Sequence, residues 1–193
     1  MNRRNHLAAP ISILLISIWL PAAGMAGGTG TGAGEWDVAA KNLGKLVPDF
    51  TLKTIDGEVK HLAEMRGNKV VLVVLWAVWC PPCIEEVPIL TALQNKYRDR
   101  GLEVLGLGVP YGQNEKAIRG FMKRNEVSYS ILFDENDEVT SKLGAIYVPY
   151  SYLIAPDGTL AYEGSELPPD LERRIETLLD KLPASVTTAS ARG

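Results

Sequence analysis

The stretch KVVLVVLW, residues 69–76, restricts the fold more than any other part of this sequence. After Lys69 it is apolar, rich in β-branched residues, and shows no polar alternation. A strand of this composition has no face to offer to water, so it belongs in the middle of a sheet covered on both sides. Directly after it comes AVWCPPC, and then Val87, Leu90, Leu93 and Tyr97 recur at steps of three and four up to Gly101. That spacing predicts a helix from the cysteines to about Asp99. Pro88 lies inside it and, by removing one ladder hydrogen bond, is expected to kink it. LEVLGLGV, residues 102–109, reads as a second, parallel strand, which completes a βαβ unit with the two cysteines at its crossover.

The flanking segments extend this unit into an α/β domain. Upstream, PDFTLKTIDGEVKHL predicts paired strands over 49–55 and 58–61, turning at Asp56 and Gly57. Downstream, Asn114 caps a helix with Ile118, Phe121 and Met122 on one face, YSILFD supplies a strand, and residues 136–143 a short helical piece. YSYLIAPDGTLAYEG reads as a hairpin turning at Asp157 and Gly158. Leu171, Ile175, Leu178, Leu179 and Leu182 line a last amphipathic helix. The expectation is one domain over 44–182, a central mixed sheet flanked by helices with an N-terminal β-hairpin.

The ends read differently. Arg3 and Arg4 precede an apolar stretch from Leu7 to Leu20, followed by the small residues around Ala26. Residues 1–26 thus read as a secretory signal peptide cleaved after Ala26, or as an uncleaved N-terminal membrane anchor. Either way the domain is expected outside the cytoplasm: periplasmic or otherwise extracytoplasmic, soluble or tethered. The arginine pair lacks the apolar continuation of a twin-arginine signal, and no cysteine stands near the cleavage region to carry a lipid. Residues 27–43, opening with GGTGTGAG, read as a flexible linker, and 183–193 as a disordered tail. Loss of Arg3 and Arg4 takes the formal charge from −3 to −5, which argues against nucleic acid as a partner.

The chain has two cysteines, Cys80 and Cys83, in WCPPC. At a strand-to-helix crossover Cys80 stands at the helix N-terminus and Cys83 one turn further in, so the sulfurs can meet. Unpaired N–H groups and the helix dipole favour a thiolate there, making Cys80 the nucleophile. Pro81 suits the first helical turn, and Pro81 and Pro82 together stiffen the loop. Two other readings stay open: a static structural disulfide, and copper(I) held by two thiolates. Structural zinc wants four ligands, and beyond these thiols the sequence after residue 26 offers only His61, so no metal site and no cofactor is expected.

WCPPC after a buried strand, EVP behind it and VPYSYLIAPDG downstream together resemble the TlpA-like (ResA-like) thiol-disulfide oxidoreductases, an exported bacterial branch of the thioredoxin superfamily. The resemblance covers about residues 44–182. It implies a thioredoxin-like fold with an inserted helix-strand unit, supplied by the elements from Asn114 to Phe133. It also implies a cis peptide bond before Pro149, with Val148 touching the substrate, and a shielding role for Trp79 beside the first cysteine. Trp79, Pro81, Pro82, Val148 and Pro149 are then the substrate-binding surface. Thioredoxin itself has a buried acid six residues before its first cysteine, where this chain has Val74. Glu86, three residues after Cys83 and on the same helical face, is the matching proton acceptor and donor here.

Three functions compete on these residues. The first is an exported thiol-disulfide oxidoreductase, a monomer acting on disulfide-containing protein substrates and re-reduced by a membrane electron donor. Its direction is expected to be reductive, because the prolines bring no cation or histidine to the Cys80 thiolate. Cytochrome c maturation is one such role, although the chain has no CxxCH haem site of its own. The second is a peroxiredoxin-like peroxidase, whose VPDFTL segment is shared, but which needs Thr or Ser where Ala77 stands. The third is a tethered binding module or chaperone with a structural disulfide.

Overall fold

The computed structural model describes residues 42–183. The leader or anchor, nearly all of the linker and the tail expected from the sequence lie outside these residues. The first strands among the described residues form a small hairpin, β1 (Thr51–Lys53) and β2 (Val59–His61), paired antiparallel. Its strands are shorter than 49–55 and 58–61, because only three residues on each side face one another. The turn closes through Gly57, whose N–H donates to the Thr54 carbonyl and whose φ of 94° suits glycine. A one-turn helix, α1 (Leu62–Met65), follows, which the sequence pattern did not announce.

β3 (Val70–Trp76) is the continuous apolar run, and all seven residues are buried. It sits in the middle of a five-stranded sheet ordered β5-β4-β3-β6-β7. β4 (Leu102–Gly108) pairs parallel with it, and β5 (Ser130–Phe133) pairs parallel with β4. β6 (Tyr150–Ile154) pairs antiparallel on the other side, and β7 (Leu160–Gly164) antiparallel with β6. The architecture is therefore α/β with a central mixed sheet, as the sequence implies. Each large side chain of β3 contributes about 1.5–3 kcal/mol by leaving water, so this strand anchors the domain.

α2 (Pro81–Tyr97) joins β3 to β4 and continues into a 3₁₀ turn, Arg98–Arg100. The helix is continuous through Pro88, which lies on its exposed side. Its far end is tied to α5 (Leu171–Leu179): the Tyr97 hydroxyl lies 2.7 Å from Glu172 and 2.6 Å from Glu176. α3 (Glu115–Arg124) is capped by the Asn114 side chain, which accepts from the Ala117 N–H. Phe121 of α3 packs on Trp76, with ring centroids 4.8 Å apart. α4 (Glu138–Leu143) is held by buried Asp134, whose carboxylate accepts from the N–H groups of Glu138, Val139 and Thr140.

The segment that precedes α1 pairs with part of each edge of the sheet. On the β7 side, Gly44 N–H donates to the Leu160 carbonyl and Leu160 N–H to the Lys45 carbonyl. On the β5 side, Ile55 N–H donates to the Ile131 carbonyl, beside a bridge between Thr54 and Leu132.

Gly106 of β4 is packed tightly between neighbouring side chains. A Cβ there would lie 2.5 Å from Ile131 Cδ1 and 2.9 Å from Tyr129 Cε2. We expect Gly106→Ala to destabilise the protein by about 1–3 kcal/mol through overpacking. Gly120→Ala, inside α3 and facing only the flexible end of Arg124, should instead stabilise by about 0.5–1 kcal/mol. Urea unfolding of both variants checks the contrast, and equal midpoints would refute it.

Candidate active site

The site is built at the end of β3. From Trp76 the chain leaves the sheet, and four residues later Cys80 takes an extended conformation as the N-cap of α2. Pro81 and Pro82 fill the first helical positions, where a missing N–H leaves no ladder bond unmade. Cys80 and Cys83 form a disulfide with a Cα–Cα distance of 5.3 Å. The Cys83 N–H also points at the Cys80 sulfur, 3.3 Å away. One of the unpaired donors of the helix terminus is thus aimed at the atom that carries negative charge when the bond is reduced. Each cysteine is only 3% exposed, so little of the disulfide faces solvent.

The register of β6 brings the second half of the site to the first. Tyr150 pairs with Leu75, so the preceding Val148–Pro149 segment runs alongside the end of β3 from which the cysteine loop departs. The Val148–Pro149 peptide bond is cis. Trp79 stands beside it, 52% exposed, with its indole N–H donating to the Tyr111 carbonyl at 2.7 Å. Of the residues expected from the sequence, Trp79, Pro81 and Pro82 therefore surround the disulfide on the α2 side, and Val148 and Pro149 belong to the facing loop.

Glu86 lies one turn beyond Cys83 on α2. Its Oε2 is buried with no hydrogen-bond partner, and the carboxyl accepts a hydrogen bond from the Leu167 N–H. Burial is the main influence on its acidity, opposed by the Leu167 N–H and reinforced by the charge of Glu166. The result is a pKa pushed up from 4.5 to about 7, so this carboxyl can take up or release a proton near neutral pH. Glu85, its neighbour, is exposed.

Sequence reasoning missed the side chains that hold the cysteine loop. Gln113, in the loop after β4, accepts the Val78 N–H at 2.9 Å through Oε1 and donates through Nε2 to the Val109 carbonyl at 2.6 Å. It thereby clamps the cysteine loop to the neighbouring β4 end across 35 residues of sequence. Nothing in the local pattern marks such a residue, because its partners are backbone atoms brought near by the sheet. Tyr111 was missed as well: its hydroxyl donates to Asp137 at the head of α4, and that bond holds the phenol above its usual pKa. Among the described residues no cluster of His, Cys, Asp and Glu is arranged to hold a metal ion.

A CxxC disulfide at a helix N-terminus, at the end of the central strand of this mixed sheet, marks a thioredoxin-fold thiol-disulfide oxidoreductase. The comparisons agree in kind. The Redoxin family model matches residues 42–179, and the chain belongs to that family. It is 28% identical to "Thiol-disulfide oxidoreductase ResA" of Bacillus thuringiensis subsp. konkukian over 138 residues, 70% of this chain and 78% of the relative. It is 29% identical to "Thioredoxin-like protein YneN" of Bacillus subtilis over 136 residues, 69% of this chain and 78% of that one. The crystal structure of a putative thiol:disulfide interchange protein DsbE from Chlorobium tepidum superposes with a TM-score of 0.64 at 26% identity. That match covers 71% of this chain and 97% of the other. The protein is an enzyme of the ResA/DsbE type.

The Glu86 carboxyl also makes stability depend on pH. Because its folded pKa lies above its ordinary value, the folded chain binds this proton more tightly. The stability it lends is complete below about pH 4 and is lost as the pH rises through 7. In the disulfide form, the wild type should lose about 1–2 kcal/mol between pH 5 and 8 that Glu86→Gln does not lose, after allowing for solvent screening. Parallel urea unfolding across that range measures the difference, and coincident pH slopes would show that Glu86 ionises freely.

Proposed function

We propose that this protein reduces disulfides in protein substrates outside the cytoplasm. Cys80 thiolate attacks one sulfur of a substrate disulfide, forming a mixed disulfide and releasing the other substrate sulfur as a thiolate. Cys83 gives its proton to ionised Glu86 and attacks the Cys80 sulfur, freeing the second substrate thiolate and leaving the Cys80–Cys83 disulfide. Two electrons pass to the substrate, and a membrane thiol-disulfide donor restores the dithiol. The observation that carries this reading is the disulfide itself, seated at the head of α2 with the Cys83 N–H directed at Cys80. Trp79, Pro81, Pro82, Val148 and Pro149 form the contact surface for the substrate chain. The reductive direction is supported by the absence of a cation or histidine between the cysteines.

The apolar leader read from residues 1–26 supports an extracytoplasmic place of work. Among the described residues no helix is long and apolar enough to cross a membrane. Apocytochrome c, whose paired cysteines must be reduced before haem attachment, is one client to test.

Cys83→Ala should accumulate mixed disulfides with substrate proteins that disappear when Cys80 is also replaced. A trapping experiment that captures nothing through Cys80 would refute the mechanism. The reduction potential of the pair should fall near the roughly −270 mV of thioredoxin, whereas a value near −120 mV would reverse the direction. Glu86→Gln should slow resolution of a preformed mixed disulfide by about 10²-fold at pH 7.5, where wild-type Glu86 is mostly ionised.

A further inference from the structure

The loop carrying Trp79, the loop carrying Tyr111 and the segment from α4 to Val148 enclose a groove of about 500 Å³. Three aromatic rings line it, and all are well exposed: Trp79 at 52%, Tyr111 at 56% and Tyr147 at 50%. Two polar side chains of the groove lack full pairing. Thr140 is 5% exposed and its hydroxyl has no partner. Asp137 accepts from Tyr111 and Ser141 through Oδ2, while its buried Oδ1 accepts nothing. No basic residue lines the groove.

We propose that this groove is a subsite for a lysine or arginine side chain of the substrate polypeptide, close in sequence to the cysteine that Cys80 attacks. The inference rests on the thiol-disulfide reading above for its occupant. Each feature of the groove selects the same chemistry. Aromatic faces attract a cation. The methylenes of a long basic side chain cover apolar walls while its head supplies several N–H donors. Those donors are what Asp137 Oδ1 and the Thr140 hydroxyl lack. An aliphatic side chain would leave both atoms buried and unpaired, and an acidic one would face Asp137 with like charge. The position follows from the chain: Trp79 adjoins Cys80 and Val148 adjoins Pro149, so an occupant is anchored within a few residues of the reacting sulfur.

The test uses three short peptides with one cysteine flanked by lysines, by norleucines or by glutamates, each as its mixed disulfide with 2-nitro-5-thiobenzoate. Stopped-flow rates with the reduced protein should favour the lysine peptide over the norleucine peptide by about tenfold, with the glutamate peptide slowest. Asp137→Asn should bring the lysine-to-norleucine ratio to within about twofold, and Thr140→Val should lower it. Glu64→Gln, an exposed acid on α1 away from the groove, should leave the ratio unchanged. Equal rates for lysine and norleucine peptides, or equal falls in Asp137→Asn and Glu64→Gln, would overturn the subsite while leaving the oxidoreductase standing. If no peptide disulfide reacts, the reading under Proposed function fails instead. The subsite is then decided by titrating the disulfide form with serine-for-cysteine peptides and following tryptophan fluorescence: tighter binding of the lysine peptide, lost in Asp137→Asn, sustains it, and equal binding ends it.

Discussion

The rest of the site depends on one short contact, the Cys83 N–H directed at the Cys80 sulfur. It exists because a strand with no polar face runs to its end inside the sheet and turns at once into a helix whose first N–H groups have no partners within the helix. Every other feature of the site acts on that junction. β3 is buried over its whole length, so its end is held still. Gln113 fixes the loop between strand and helix by bonding both the Val78 N–H and the Val109 carbonyl. Tyr97 ties the far end of α2 to α5. The cysteine pair is therefore presented at a junction tied on the strand side, in the loop and at the far end of the helix.

Glu86 shows how the same scaffold sets acid-base chemistry. The carboxyl lies in contact with the domain, where burial outweighs the single Leu167 N–H it accepts. A fully solvated glutamate would stay ionised throughout the working range and could not return a proton. A fully sealed one could not give it up. Partial burial beside Glu166 places it between these limits, near neutrality.

Much of this was legible in the sequence. The buried strand, the CxxC crossover and the last amphipathic helix follow from periodicity, because each is a local pattern with one physical solution. Cys80, Cys83 and Glu86 could be placed together from the sequence because they lie at the head of one helix and their spacing fixes their relation. The cis bond at Pro149 was legible only through the family resemblance, since base rates for proline favour trans. α1 was missed because LAEM spans a single turn and carries no period. Gln113, Tyr111, Asp137 and Thr140 were missed for a different reason. Their roles are created by the docking of loops far apart in sequence, and a lone polar residue in a loop looks the same whether it clamps a neighbour or faces water.

The segment ahead of α1 touches both borders of the five-stranded sheet, pairing with Leu160 on one side and Ile131 on the other. Strand borders are where a foreign chain would ordinarily add itself, by lending its own backbone to the ladder. With part of each border paired in this way, the sheet keeps less free edge to lend to an incoming strand. The same short segment that leads into the hairpin thus also makes the sheet a poorer template for adventitious strand pairing, a protective role separate from the chemistry at the head of α2.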